Sequence, residues 1–207
     1  MTFADLLDRA RALMTSERAI LGICGPPGSG KSTLAQRLAN ALGNSAQHVG
    51  MDGFHLARSE LDRLGRTPRK GAPDTFDAHG YVHLLERLKP KRGNAIVYAP
   101  VFRRDLEEPI ACAVPIGPDI RLVITEGNYL LLPDSPWNTI RTLLDETWFL
   151  APEENQRREW LTKRHQAHGR TPEEAAERTM GSDERNAVLI NATASAADLV
   201  VHTPLED

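Results

Sequence analysis

The sequence predicts an α/β fold in which a mostly parallel sheet is covered on both faces by helices, in three layers. Two observations carry this. Apolar runs alternate with stretches of helical periodicity, which is the pattern of a parallel sheet wrapped by crossover helices. RAILGIC is apolar at consecutive positions, as a strand buried on both faces must be. The carboxyl ends of such strands collect ligands. Cys24, Met51 and Thr125 mark three such ends, and a polar stretch follows each.

Taken in order, Phe3, Leu6, Leu7, Ala10, Leu13 and Met14 recur at helical spacing and predict an amphipathic helix over 2–15. RAILGIC is the first strand, and GPPGSGKST opens a helix with Leu34, Leu38, Ala41 and Leu42 on one side. QHVGM is a short second strand. The Arg-, Lys-, Gly- and Pro-rich segment from Ala57 to Phe76 predicts irregular backbone around a brief helix. A helix over 77–88 follows, with Asp77 as its cap. NAIVYAPVF and RLVITEG are further strands, separated by a polar, proline-bearing excursion from Asp105 to Asp119. ETWFL is another strand, and residues 152–168 form a charged helix. Thr171, Pro172 and Glu174 spell a capping box with a first-turn proline, so a helix starts there. ADLVV closes the sheet.

A chain of 207 residues suits one domain, 1–207, with a small mobile appendage. Its 41% hydrophobic and 26% charged residues are ordinary for a water-soluble domain. The net charge of −3 argues against nucleic acid, which needs a basic surface to displace counterions. The local cluster of Arg66, Arg69 and Lys70 is compatible with a small anionic substrate. Cys24 and Cys112 form no metal or redox pair. The N-terminus carries no basic leader, and no apolar run reaches membrane-spanning length, so a cytoplasmic protein without membrane insertion is expected.

Gly25 to Ser32 fits G-x-x-x-x-G-K-[ST] in full. Average residue frequencies give those fixed positions by chance in roughly one chain of this length in a hundred. Glycines let such a loop fold tightly and turn successive N–H groups toward a phosphate, and the following helix adds its free donors. Gly25, Pro27, Gly28, Ser29, Gly30, Lys31, Ser32, Thr33 and Arg170 are the expected nucleotide-binding residues. Lys31 reaches the outer phosphates, and the Ser32 hydroxyl suits Mg²⁺. No Asn-Lys-x-Asp run reads guanine, and the chain leaves little room for a motor's extra domains. A small-molecule kinase then needs a base, a metal-organising acid and mobile cations. Asp52, ending the second strand, is the candidate base. Glu126, ending RLVITEG, is the candidate metal acid beside Ser32. Arg164, with Arg157, Arg158 and Arg170 nearby, is the candidate lid cation, and the lid spans about 157–182.

GPPGSGKST, MDGFH, KGAPDTFD, VYAPVF, ITEGNYLL and REWLTKRH stand in one order over nearly the whole chain. In this the sequence resembles the phosphoribulokinase, uridine kinase and bacterial pantothenate kinase group of P-loop kinases. The resemblance implies the P-loop fold, ATP and Mg²⁺, and a hydroxyl-bearing small-molecule acceptor. It also implies a catalytic aspartate at Asp52 and a lid arginine at Arg164 in Trp-x-x-x-Arg. MDGFH, KGAPDTFD and GRTPEEA look most like bacterial kinases linked to fructose transport, which favours a sugar such as fructose. Uridine or pantothenate is the alternative, as is a P-loop ATPase with no acceptor. Asp52, Phe54, His55, Asp74, Phe76 and Arg104 are the expected acceptor contacts. Relatives often carry an acid where Arg103 stands here; Arg104 and Asp105 can fill that place by a shift of register. The resemblance makes a homodimer plausible, though no apolar stripe demands one. His79 and His83 read as surface or packing residues, His165 and His168 as exposed, and Trp137, Trp148 and Trp160 as packing residues.

Overall fold

The computed structural model describes residues 1–14, 18–89 and 95–203. Helix α1 (Phe3–Ala12) begins at Thr2, whose hydroxyl accepts the Asp5 amide while the Asp5 carboxylate accepts the Thr2 amide, a reciprocal cap. It stops short of the expected residue 15, which lies outside the described residues. Strand β1 (Ala19–Cys24) leads through the glycine-rich loop into α2 (Lys31–Leu42), then β2 (Ala46–Gly50), α3 (Arg58–Arg63) and α4 (Ala78–Leu88). The Asp77 carboxylate accepts the Gly80 amide and starts α4 as expected. Next come β3 (Val97–Arg103), β4 (Glu108–Ile116), β5 (Leu122–Gly127), α5 (Asn138–Leu143) and β6 (Glu146–Pro152). The charged α6 (Glu154–Ala167), α7 (Pro172–Arg178), a π-helical turn (Thr179–Asp183), α8 (Glu184–Asn191) and β7 (Leu199–Thr203) complete the described chain. Thr171 and Glu174 make the predicted capping box at α7.

Five strands form one parallel sheet in the order β2-β5-β1-β6-β7. The register decides where the chemistry sits. Glu126 of β5 lies level with Ile23 of β1 on one side and Gly50 of β2 on the other. Two residues further along those neighbours are Gly25, which opens the loop, and Asp52. Three distant motifs thus converge at one edge because β5 runs between β1 and β2. Leu6, Ala10, Leu34, Leu38, Ile124 and Leu150 bury one face under α1 and α2. Tyr81, Leu85, Val123, Ile140, Phe149 and Ile190 bury the other under α4, α5 and α8. Each such Leu, Ile, Val or Phe side chain contributes about 1.5–3 kcal/mol relative to exposure.

One expectation fails. The excursion from Asp105 to Asp119, expected only to separate two strands, is itself mostly β4, antiparallel to β3 in a separate two-stranded hairpin. NAIVYAPVF therefore does not join the parallel sheet, and its residue 94 lies outside the described residues. The prolines that suggested a loop, Pro109 and Pro115, face Phe102 and Tyr98 in the hairpin. A two-stranded ribbon has only edge strands, where a missing N–H is tolerated.

Candidate active site

The glycine-rich loop takes backbone angles that side chains rarely adopt. Gly28 has φ +85°, and a Cβ there would meet the Arg157 carbonyl oxygen and the Leu161 Cβ, each at 3.0 Å. Lys31 is buried, its ammonium donating to the carbonyls of Gly25 at 2.8 Å and Pro26 at 3.0 Å. Burial pulls its pKa below the ordinary lysine value, against the pull of Glu126. The Ser29 hydroxyl is buried and finds no partner among the described residues. Ser32 donates its hydroxyl proton to Glu126 Oε1 at 3.1 Å. Burial pushes the Glu126 carboxyl up, but His48, Lys31 and Ser32 outweigh it and hold it below the usual carboxylate range. His48 Nε2 stands 3.5 Å from the same oxygen.

Beyond β2 the chain makes a 3₁₀ turn over Met51–Phe54. Gly53 is required there by close approach, since a Cβ would lie 2.7 Å from the Pro100 carbonyl oxygen. That approach seats the hairpin on the turn and brings Arg104 to Asp52, Nη2 to Oδ2 at 3.3 Å. His55 sends Nδ1 to the Asp52 carbonyl oxygen at 2.8 Å; a carbonyl only accepts, so Nδ1 carries the proton. Its ring lies 4.0 Å from Phe76 and 4.9 Å from Phe102, and burial pulls its pKa below the ordinary histidine value.

A cavity of about 440 Å³ joins these groups, within the range of small-molecule sites. Of the residues expected from the sequence, Pro27, Lys31, Ser32, Asp52, His55, Phe76, Arg104, Glu126, Arg164 and Arg170 line it. Gly25, Gly28, Ser29, Gly30 and Thr33 lie outside its lining and shape the loop and helix start instead. Two expected acceptor contacts also lie outside it. Phe54 packs on Tyr81, ring centroids 5.2 Å apart, as part of the core. Asp74 turns outward to Arg69 at 2.8 Å and Arg66 at 3.4 Å. Those pairs divide the basic cluster, leaving Lys70 to line the cavity without Arg66 and Arg69.

The lid cations divide likewise. Arg157 is fully buried and binds the Pro27 carbonyl, Glu154 and Glu184, and Arg158 binds Glu184 at 2.6 Å. Neither lines the cavity. Arg164, two turns beyond Arg157, does. Its charge interacts with Arg104, Asp183, Asp52 and Glu126, and burial is the main pull on its pKa, downward. His165 is not exposed as expected; its side chain keeps 14% exposure and pairs with Asp183 at 2.7 Å. Arg103 faces away and pairs with Asp105 at 2.7 Å, so Arg104 alone of that stretch reaches Asp52. Trp137 and Trp148 are buried packing residues. Phe102, Arg178, Asp183 and Asn186 also line the cavity. The sequence gives no local sign of this, because the hairpin and the α7–α8 junction reach the site only through tertiary packing.

A family model described as an AAA domain matches residues 20–127, and a protein from Schizosaccharomyces pombe named "putative uridine kinase" is 34% identical over 97% of this chain and 90% of its own. The chain belongs to the P-loop kinase family. A crystal structure from Silicibacter sp. TM1040, described as a "putative fructose transport system kinase", superposes on this P-loop kinase with a TM-score of 0.84. It is 36% identical and covers 97% of this chain and 99% of its own. Phosphoribulokinase from Rhodobacter spheroides, 18% identical, shares the fold at a TM-score of 0.59, covering 91% of this chain and 71% of its own. The resemblance read from the motifs is thus borne out. So is the small-molecule kinase activity that it implied. No helix among the described residues is long and apolar enough to cross a membrane.

Proposed function

We propose that this P-loop kinase moves the γ-phosphoryl group of ATP onto a hydroxyl of a sugar-type metabolite. The likeness to the Silicibacter protein favours fructose. The observation that carries the reading is the shared wall: Lys31, Asp52, Glu126 and Arg164 line one cavity although they come from four segments. Asp52, with a side chain 34% exposed, takes the proton of the acceptor hydroxyl as its oxygen attacks the γ-phosphorus. Lys31 leaves the loop carbonyls to hold the outer phosphates. Arg164 neutralises charge on the transferring group from the lid side, and closure of the lid keeps water from competing as acceptor. Two oxygen donors 3.1 Å apart, Ser32 and Glu126, fit a hard cation that keeps several waters, so they would hold Mg²⁺. When bound, Mg²⁺ supplies charge neutralisation at the phosphates. Residues 1–207 act as one domain in this reading, with Arg170 a further nucleotide contact.

An ADP-release assay over fructose, uridine and pantothenate tests it. Acceptor-stimulated turnover is expected. ATP turnover that no acceptor changes would favour a P-loop ATPase instead.

A further inference from the structure

We propose that the acceptor bears an anionic group, a carboxylate or a phosphate, besides the hydroxyl that is phosphorylated. This rests on the kinase reading and narrows its sugar-type acceptor to a charged one, setting neutral fructose aside.

The observation is a second set of cations, distinct from Lys31 and Arg164. Lys70, Arg104 and Arg178 line the same cavity as those two but come from other segments of the chain. Lys70 holds its ammonium 5.0 Å above the Phe102 ring, with a side chain only 20% exposed. It donates to the Glu107 carbonyl oxygen at 2.6 Å. Its carboxylate neighbour, Glu107 Oε2, stands 3.6 Å away on a side chain that is 60% exposed. Arg178 sends Nη2 to the Lys70 carbonyl at 2.6 Å, while its Nε is buried and finds no acceptor among the described residues. Arg104 contacts Asp52 at 3.3 Å, long for a charge-assisted bond, which leaves most of its five-donor fork uncommitted to that carboxylate.

Lys70, with a side chain 20% exposed, and Arg178, whose Nε is buried without an acceptor among the described residues, cost stability unless an anion meets them, and Arg104 adds a third cation to the same cavity. Four acids line this cavity: Glu126 is engaged with Ser32, Asp183 with His165 and Asp52 with Arg104, while Glu107, mostly exposed, stands 3.6 Å from Lys70 and only partly offsets its charge. A neutral sugar brings hydroxyls but no charge, and so leaves the deficit standing. A carboxylate or phosphate fits the forked and ammonium donors. It would also draw Arg104 from Asp52, releasing that carboxylate toward the acceptor hydroxyl. Phe102, His55 and Phe76 then bound the space for the carbon skeleton.

The test is an ADP-release assay on the full chain with matched acceptors: fructose, fructose 6-phosphate and gluconate, with uridine and pantothenate as a second neutral and anionic pair. At least one anionic acceptor is expected to exceed its neutral partner in kcat/KM by tenfold or more, and the gluconate and phosphate arms tell the two anions apart. Lys70→Gln should shrink that anionic-to-neutral ratio about 10- to 100-fold, the effect of losing one charge-assisted hydrogen bond. Lys70→Arg should keep the ratio, and Arg178→Gln provides a second variant should Lys70→Gln fold poorly. A neutral acceptor used best by the wild type, or a ratio unmoved in both glutamine variants, overturns the proposal alone. Absence of any acceptor stimulation overturns the kinase reading and the proposal with it.

Discussion

The two halves of the cavity are built differently. The proposed phosphate side rests on β1, β5 and the start of α2, buried backbone whose order in space follows from the parallel register. The proposed acceptor side is made of side chains from a 3₁₀ turn, a hairpin and the α7–α8 junction, elements that touch only after folding. The contrast teaches where tolerance lies. A site of backbone N–H groups accepts few sequences and one kind of ligand, whereas a site of projecting side chains can be rewritten residue by residue. Arg103 illustrates this: a departure in the hairpin leaves the register intact and simply turns toward Asp105.

Mutations that touch charge on the transferring group should cost most. Arg164→Gln is expected to lower kcat by about 10³ or more while ATP still binds, checked by steady-state kinetics beside a nucleotide titration. An unchanged kcat would assign the lid cation elsewhere. Asp52→Asn comes next, with transfer down about 10²- to 10⁴-fold and nucleotide affinity retained; wild-type turnover in that variant removes Asp52 from the chemistry. Between the halves stands Arg157. Arg157→Met should lower stability by about 2 kcal/mol through the loss of bonds to Pro27, Glu154 and Glu184, seen as a melting temperature about 4–8 °C lower. A shift within error would mean that packing, not these bonds, holds α6.

The smallest effect expected is a pH effect. Because His55 has a pKa below the ordinary value of about 6.5, the unfolded chain binds the extra proton first as pH falls. Stability from this group is therefore complete above about pH 6.5 and declines from there toward its folded pKa. His55→Gln should flatten that slope in melts at pH 5.5 and 7.5, and an identical slope in both proteins would point to another group.

The phosphate side was legible in the sequence because each of its parts is local. The loop motif is contiguous, and Glu126 and Asp52 are read from the ends of apolar runs. What the sequence could not give was partner choice among charges. Asp74 reads as a pocket acid until Arg69 and Arg66 are seen to take it, and Arg157 reads as a lid cation until Glu184 does. The hairpin was missed for a related reason. Its prolines and polar residues are loop-like in any window, and only antiparallel pairing makes them a strand. The capping boxes at Thr2 and Thr171 show how differently neighbouring-residue signals behave: both are local, and the one at Thr171 was read correctly in advance.

The Arg157 bond to the Pro27 carbonyl at 3.2 Å, with α6 passing so close to Gly28 that a Cβ would meet it at 3.0 Å, has a mechanical consequence. The root of α6 is tied to the glycine-rich loop. A lid movement of the kind proposed above that kept this tie would turn on the far part of α6, whose His165 is held by Asp183 of the π-helical turn at Thr179–Asp183. A bulkier residue at 28 would thus be felt as a misaimed hinge as well as a damaged anion seat.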